Sequence, residues 1–312
     1  MKLCLNTSTL ASPADDRLSV CEKISLAAEA GFELLEPWND ELDRWVERGG
    51  DLAEIRARLA DHGMAAASVI SLRGWMEYDG ARHDEAIADC RRRFAQAQAI
   101  GAPAIVASPP FSGDWHYDLD RGAERYAEIL ALGEEYGVRP LMEFLGFVPT
   151  IHLLEQAYAI AELTGHPDAA VVLDPFHLWR GGSGFGLIAH MPVRLVGVVH
   201  FNDAPADNPP RFEQRDADRV YPGDGCLPLV PMLRDLLAIG YDEICWGGEL
   251  GSPPPREGEF VVHPNVAYQQ WVRSRFATTI PEIGTEIVRH PEDMHIEDAA
   301  DPFNRWVSAN CA

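Results

Sequence analysis

Basic side chains are scarce in this sequence. Lys and Arg together number 26 against 49 Asp and Glu, which gives a formal net charge of -23 at neutral pH. A strongly acidic protein repels polyanions at long range, so nucleic acid and anionic membrane surfaces are excluded as expected partners. We interpret most of the acidic excess as a solvated surface that aids solubility. A smaller part of the acidic excess is interpreted as carboxylates that converge on a metal ion.

Paired cysteines and long apolar runs are also absent. The six cysteines include no Cys-x-x-Cys pair, so we expect reduced thiols, as in a cytoplasmic protein. No segment approaches the ~20 apolar residues that a transmembrane helix needs. The first ten residues, MKLCLNTSTL, lack the pattern of a signal peptide. The prediction is a cytoplasmic protein with no membrane partner.

What the sequence does contain is a repeated alternation of short apolar runs and longer amphipathic stretches. This alternation is typical of βα units and a parallel sheet. Glycines close several of the amphipathic stretches, as at Gly101 and Gly137, where a helix is expected to end. The apolar runs lie near residues 3–6, 32–37, 64–71, 104–108, 139–144, 170–173, 195–201 and 243–250. This eightfold repeat favours a closed (β/α)8 barrel over an open, doubly wound sheet.

The length of 312 residues fits one such barrel with insertions, since the fold typically needs about 250 residues. We predict a catalytic barrel over residues 1–280 and a C-terminal extension over residues 281–312. The tail of this extension, from His290 to Ala312, is polar, with Trp306 as its one large anchor. We expect it to pack on the barrel or on a partner subunit, which leaves a homo-oligomer open.

Acidic and imidazole side chains end the last four apolar runs: Glu143, Asp174, His200 and Glu249. A single such residue would indicate no more than a loop cap or a solvated charge. Four on neighbouring strands should meet, because the C-terminal ends of barrel strands share one face. Three converging carboxylates would repel each other without a cation, so one divalent ion is predicted. The oxygen-rich set favours Mn²⁺ or Mg²⁺, with Co²⁺ or Zn²⁺ as alternatives, and a purely structural metal is the other interpretation.

Five short runs strengthen this prediction. MEF, LDPFH, HFND, PGDG and GGEL occur in this order between residues 142 and 250. Together they resemble the xylose-isomerase-like barrel superfamily, which includes sugar epimerases, inosose-type dehydratases and isomerases, hydroxypyruvate isomerase and barrel-type endonucleases. The resemblance covers roughly residues 1–275. It implies that Glu143, Asp174, His200 and Glu249 are the metal ligands, and that Glu143 and Glu249 are also the acid–base pair.

The resemblance implies two substrate-binding residues. His177 stands three residues after Asp174 and would face the substrate; a histidine packed under the loop is the alternative. Arg219 begins a run that resembles the family's Arg-x-x-Pro-Gly-x-Gly pattern and would contact a substrate oxygen. The long insertion between His200 and Arg219 departs from that pattern, so a surface arginine is the alternative.

Two tryptophans follow the second and third apolar runs. Trp38 and Trp75 are predicted either to wall the pocket or to pack in the core.

The implied chemistry is proton abstraction next to a carbonyl, through a metal-stabilised enediolate. We therefore expect an isomerase or epimerase of a free sugar or keto-polyol. Loss of a β-hydroxyl or β-linked group would instead make the protein a lyase or dehydratase, which is the alternative. The net charge disfavours the endonuclease branch, which needs a basic surface. Acid–base candidates at both Glu143 and Glu249 disfavour a non-catalytic sugar-binding module.

Overall fold

Parallel strands alternate with helices along the chain, as the sequence predicts. The computed structural model describes residues 2–246 except 11–12, 14–16, 112–114, 208, 215–217, 221, 223–224 and 242. The strands are β1 (Lys2–Asn6), β2 (Leu34–Glu36), β3 (Ala65–Ala66), β4 (Ile70–Leu72), β5 (Ala104–Ala107), β6 (Arg139–Met142), β7 (Val171–Leu173), β8 (Val196–Phe201) and β9 (Glu243–Trp246). The helices are α1 (Val20–Glu29), α2 (Asn39–Glu47), α3 (Leu52–Asp61), α4 (Ala81–Ile100), α5 (Leu119–Tyr136), α6 (Leu154–Leu163), α7 (Pro175–Gly181) and α8 (Leu229–Ala238).

The strands form one parallel sheet in the order β3-β2-β1-β9-β8-β7-β6-β5-β4. β3 and β4 are two halves of the predicted third strand: β3 pairs with β2, and β4 pairs with β5. A parallel bridge from Trp38 to Ile70 joins the two ends of the sheet. The sheet therefore closes into a barrel with eight strand positions, which confirms the predicted (β/α)8 fold.

Local sequence signals set the helix boundaries. Ser19 and Glu22 form a reciprocal capping box that starts α1. Gly101 and Gly137 end α4 and α5 with φ of 80° and 63°, a conformation that glycine adopts without steric cost. The helix ends predicted at glycines are therefore confirmed at these positions.

Two helices go beyond a simple alternation of one strand and one helix. The stretch between the second and third apolar runs, which that alternation predicts as one helix, is broken into α2 and α3, because Gly49 takes a φ of 85° and Asp51 caps a new helix at Ala53 N. The short helix α7 was not predicted. Its signals are an N-cap at Asp174 followed by Pro175 in the first turn.

Apolar side chains occupy two layers. The larger cluster lies between the strands and the surrounding helices. A smaller cluster comes almost entirely from strands and fills the inside of the barrel, with Cys4, Ile70, Val106, Leu141, Val172 and Val198 among its members. This interior layer forms the floor on which the polar site is built.

Three further predictions concern particular parts of the chain. Cys4, Cys21, Cys90 and Cys226 carry free thiols, as expected from their spacing. Across the helices that the structure covers, none has both the length and the apolar character required to span a bilayer. The predicted boundary near residue 280 and the extension over residues 281–312 lie outside the described residues.

Candidate active site and metal centre

The period of two in a β-strand positions the candidate site. Strand residues two apart point to the same face. A side chain two residues after a member of the interior apolar layer therefore also points into the barrel. The residues two positions after Cys4, Leu34, Val106, Leu141, Val172 and Val198 are Asn6, Glu36, Ser108, Glu143, Asp174 and His200. A polar layer therefore lies on the apolar one at the C-terminal ends of the strands, where barrel enzymes place their catalytic groups.

The predicted residues that the structure describes meet in one pocket. Glu143, Asp174, His177, His200 and Arg219 all line it, together with Asn6, Trp38 and Ser108. Glu249, the fourth predicted ligand and second member of the acid–base pair, lies outside the described residues.

Glu143 follows β6 directly and is only 6% exposed. Ser108 Oγ donates a hydrogen bond of 3.1 Å to Glu143 Oε2. Burial raises the pKa of Glu143 to about 7, the charge of His200 opposes that rise, and the nearby Asp174 carboxylate adds to it. Burial and the Asp174 charge therefore shift Glu143 towards its protonated form, and the charge of His200 offsets only part of that shift.

Asp174 has a different environment. Its Oδ1 accepts hydrogen bonds from the backbone N–H groups of Phe176 and His177 and so caps α7. Its Oδ2 lies 3.0 Å from Arg219 Nη2. Burial alone would raise the pKa of Asp174, but the charges of Arg219, His177 and His200 outweigh burial and lower it to about 2. Asp174 is a carboxylate held in its charged form.

Arg219 is inside the pocket, which excludes the surface alternative. It is 7% exposed, its Nη2 lies 3.0 Å from His177 Nε2, and its guanidinium lies 4.6 Å from the centre of the Phe176 ring. His177 lines the pocket, and its Nδ1 accepts from Gly146 N at 3.3 Å. The Arg219 guanidinium thus lies against His177 and Asp174 in one wall of the pocket.

Asp203 holds the loop that carries Arg219. Asp203 and Val220 exchange backbone hydrogen bonds of 3.1 Å, and Asp203 Oδ2 accepts from Gly225 N at 3.2 Å. A Cβ at Gly225 would lie 2.2 Å from Ala204 O and 2.3 Å from Asp203 Oδ1, so only glycine fits there. Despite the long insertion before it, the Arg219 segment is therefore anchored to the end of β8.

Glu36 is a site residue that sequence reasoning missed. It ends β2, is fully buried, and its Oε1 and Oε2 lie 3.1 and 3.0 Å from His200 Nε2. Burial would lower the pKa of His200, but the charges of Glu36, Glu143 and Asp174 raise it to about 9. The signal that could have found Glu36 is its position two residues after Leu34, on the inward face of β2.

The two tryptophans have separate places. Trp38 lines the pocket, and its indole Nε1 donates a 3.0 Å hydrogen bond to Asn6 Oδ1. Trp75 is completely buried in the core and donates to Ser108 O at 2.9 Å. One tryptophan therefore forms a pocket wall and the other is packing.

A second group of potential ligands lies on the opposite side of the barrel. Glu134, His166 and Asp168 bring ligand atoms within 4.8 Å of one another. Glu134 is in the last turn of α5, and the other two precede β7, so the group is at the N-terminal face. Glu134 and Asp168 are exposed, and an exposed acidic group of this kind needs no ion.

The pocket at the C-terminal face suits a divalent cation better. Burial there disfavours charge on Glu143, while Asp174 and Glu36 place further negative charge beside it. A divalent ion would offset that repulsion, and carboxylates with one imidazole are ligands that such ions accept. By ligand type, Glu143, Asp174 and His200 therefore suit a divalent metal, although among the described residues only the N-terminal group brings its ligand atoms within 4.8 Å of one another.

The family assignment rests on a match over most of the chain. A family model described as xylose isomerase-like TIM barrel matches residues 24–266. The chain belongs to this family. The resemblance seen in the sequence runs is confirmed, and so is the barrel.

An isomerase and a dehydratase are among the proteins similar to this chain. An inosose isomerase of Bacillus velezensis is 26% identical over 251 residues, which cover 78% of this chain and 86% of that protein. A 3-dehydroshikimate dehydratase of Pseudomonas putida is 24% identical over 226 residues, which cover 70% of this chain and 34% of that protein. These likenesses support an enzyme, with an isomerase as the better-covered match.

A solved structure shares the fold at similar coverage. It is described as the IOLI protein with a binding zinc atom, and it superposes with a TM-score of 0.75 at 21% identity. The superposition covers 93% of this chain and 100% of that chain. At this identity the likeness shows the fold, and the zinc belongs to that protein.

Proposed function

We propose that this protein is a divalent-metal-dependent isomerase or epimerase of a free sugar or keto-polyol. The observation that carries the proposal is the meeting of Glu143, Asp174, His177, His200 and Arg219 in one pocket at the C-terminal face of the barrel. The pocket combines buried carboxylates with the Arg219 guanidinium. That combination is what proton transfer next to a carbonyl requires.

Each residue has a proposed role. Glu143, Asp174, His200 and Glu249 hold the ion, with Mn²⁺ or Mg²⁺ favoured and Co²⁺ or Zn²⁺ as alternatives. When bound, the ion supplies Lewis-acid polarisation of the substrate oxygens. Glu143 removes the proton next to the carbonyl, and Glu249 returns a proton at the other face.

His177 and Arg219 bind substrate oxygens from one side of the pocket. Their separation of 3.0 Å lets both reach neighbouring oxygens of one ligand. Trp38 supplies a flat wall that the Asn6 amide holds in place. Together these side chains fix the orientation of the substrate relative to Glu143, and orientation is a large part of catalysis in such sites.

The relatives favour the isomerase but keep a second candidate. The inosose isomerases act, by their name, on an inosose, which is a keto-polyol, and they match over most of their length. The dehydratase relative favours the alternative, a lyase that eliminates a β-hydroxyl or a β-linked group from a keto-sugar. Both reactions begin with the same proton abstraction, so Glu143 has the same role in each.

Incubation of the metal-loaded protein with a panel of keto-sugars and inososes in deuterated water tests the proposal. An isomerase or epimerase incorporates one deuterium at a carbon next to the carbonyl and keeps every substituent, which mass spectrometry and NMR detect. A lyase gives a product from which one water molecule or the linked group has been eliminated. If no compound of either class exchanges a proton, with Mn²⁺, Mg²⁺, Co²⁺ or Zn²⁺ present, the proposal is wrong.

The proposal includes the cellular context expected from the sequence. The protein acts in the cytoplasm on a small molecule, without nucleic acid or membrane partners, in line with its net charge of -23. The extension over residues 281–312 packs on the barrel or on a second copy of the chain. Sedimentation analysis of the full chain and of a chain ending at residue 280 distinguishes these two arrangements.

A further inference from the structure

The polar layer at the C-terminal ends of the strands contains a carboxylate–imidazole pair. Glu36, at the end of β2, and His200, on β8, are 164 residues apart in sequence. His200 Nε2 lies 3.1 Å from Glu36 Oε1 and 3.0 Å from Glu36 Oε2, and both side chains are buried. The pair therefore joins two non-adjacent strands at the edge of the pocket that His200 lines.

Glu36 is itself fixed from two further directions. Ser68 Oγ donates to Glu36 Oε1 at 2.5 Å, and Asn6 Nδ2 donates to Glu36 Oε2 at 2.6 Å. The Asn6 side chain comes from β1 and Ser68 from the segment between β3 and β4. Because donors engage both oxygens, the carboxylate has one defined position relative to the His200 ring.

Glu36 acts on the pocket through His200. Among the described residues, His200 lines the pocket and Glu36 does not. Glu36 is therefore a positioning residue, which lies behind His200 as seen from the pocket.

The chemistry of the contact assigns the ring nitrogens. A carboxylate accepts hydrogen bonds, so the nitrogen that faces Glu36 carries the hydrogen, and that nitrogen is Nε2. A protonated ring nitrogen has no lone pair for a metal. Nδ1 is then the nitrogen available for coordination. Histidine ligands whose other N–H is held by a carboxylate are oriented and made more basic by that contact.

We propose that Glu36 fixes the Nε2–H tautomer and the ring orientation of His200, and thereby strengthens binding of the divalent ion through Nδ1. This inference rests on the proposed function, because it takes His200 as a metal ligand. It adds a residue and a tautomer that the sequence runs around the ligands do not contain.

Metal affinity of the isosteric variant Glu36→Gln tests the inference without an activity assay. Zn²⁺ or Mn²⁺ is titrated into the chelator-treated full-length protein in competition with a chromogenic chelator. We expect Glu36→Gln to bind about 10- to 100-fold more weakly than the wild type, as changes behind a metal ligand typically do. Equal affinity in the two proteins would overturn the inference.

Glu41→Gln is the matched control. Glu41 is also a buried glutamate, but its carboxylate pairs with Lys23 at 2.5 Å and accepts hydrogen bonds from Thr7 Oγ1 and Trp38 N. We expect its metal affinity to stay within about twofold of the wild type. An equal loss in both variants would show a general effect of buried charge and would also overturn the inference.

The wild-type protein alone provides a spectroscopic test. In the Zn²⁺-loaded protein with ¹⁵N-labelled histidine, long-range ¹H–¹⁵N correlation distinguishes Nε2–H from Nδ1–H, and the signal absent from His200→Gln identifies this ring. We expect Nε2–H for His200. An Nδ1–H ring that still binds Zn²⁺ would contradict the inference and leave the proposed function intact, whereas a wild type that binds no divalent ion would contradict both.

Discussion

Two groups of the same residue types lie at opposite ends of the barrel. Glu143, Asp174 and His200 line a buried pocket at the C-terminal face. Glu134, His166 and Asp168 come together at the N-terminal face, where Glu134 and Asp168 are exposed. Each group contains two carboxylates and one imidazole, so residue type alone does not distinguish them.

Their surroundings do distinguish them. Water screens the charges of the exposed group, and an exposed ion pair contributes little free energy. The buried group has no such screening. Burial there raises the pKa of Glu143 to about 7, and neighbouring charges lower that of Asp174 to about 2. Chemistry is therefore expected at the C-terminal face, and the following changes test this difference from the largest expected effect to the smallest.

The largest effect is expected from Glu143→Gln. The amide keeps the size of the side chain and can still accept from Ser108 Oγ, but it cannot remove a proton. We expect solvent deuterium exchange into the substrate to fall by about 10³-fold, within the range of a lost general base. Glu134→Gln is the control and should exchange at the wild-type rate. A Glu143→Gln protein with full exchange would mean that the base is another group.

A smaller but still large effect is expected from Asp174→Asn. The asparagine oxygen can still cap α7 at Phe176 N and His177 N, so the fold should persist while one negative charge is lost. We expect affinity for Mn²⁺ or Zn²⁺ to fall by at least about 100-fold, because even changes behind a ligand cost about 10- to 100-fold. Calorimetric titration of the metal-free protein with the ion measures this affinity. Asp168→Asn, in the exposed group, should bind as the wild type does; the opposite pattern would place the metal at the other face.

Much of this site could be predicted because it follows from strand periodicity. Glu143, Asp174 and His200 each end an apolar strand, and the strands of a parallel barrel end on one face. Local patterns were sufficient for that step.

Local sequence patterns do not identify Glu36 as a buried residue of the site. In the run Phe32-Glu33-Leu34-Leu35-Glu36, the two glutamates look equivalent, yet Glu33 is exposed and Glu36 is fully buried. The contact that explains Glu36 joins it to His200, 164 residues away. Only closure of the barrel brings these two strand ends together. The sequence left the position of Arg219 open for a related reason. The loop that carries it is held by Asp203, on the other side of the long insertion, through backbone hydrogen bonds with Val220 and hydrogen bonds from Gly225 N and Leu227 N to its carboxylate.

A moderate effect is expected from Arg219→Lys. Lysine keeps the charge, but it cannot contact Asp174 and His177 and also stack on Phe176 as the guanidinium does. We expect KM to rise by about tenfold, or about 1.4 kcal/mol, with a smaller change in kcat. Steady-state kinetics separates the two. The control is Arg91→Lys on α4. Arg91 pairs with Glu135 at the surface, so this variant should leave KM and kcat unchanged. Unchanged constants in Arg219→Lys would mean that Arg219 only stabilises its loop.

The smallest effect is expected from His166→Gln in the exposed group. His166 Nε2 pairs with Glu134 Oε1 at 3.2 Å, but the glutamate side chain is 60% exposed. Since solvent-exposed pairs contribute about 0–1 kcal/mol, urea unfolding should show a change of no more than about 0.5 kcal/mol, and metal affinity should not change. If the free energy of unfolding fell by more than about 1.5 kcal/mol, or if the variant lost the ion, exposure would not explain the difference between the two groups. Variants of the exposed group that behave like the wild type, beside variants of the buried group that lose metal or exchange, would instead show that burial decides which group can do chemistry. The presence of Glu, His and Asp alone would then not be sufficient.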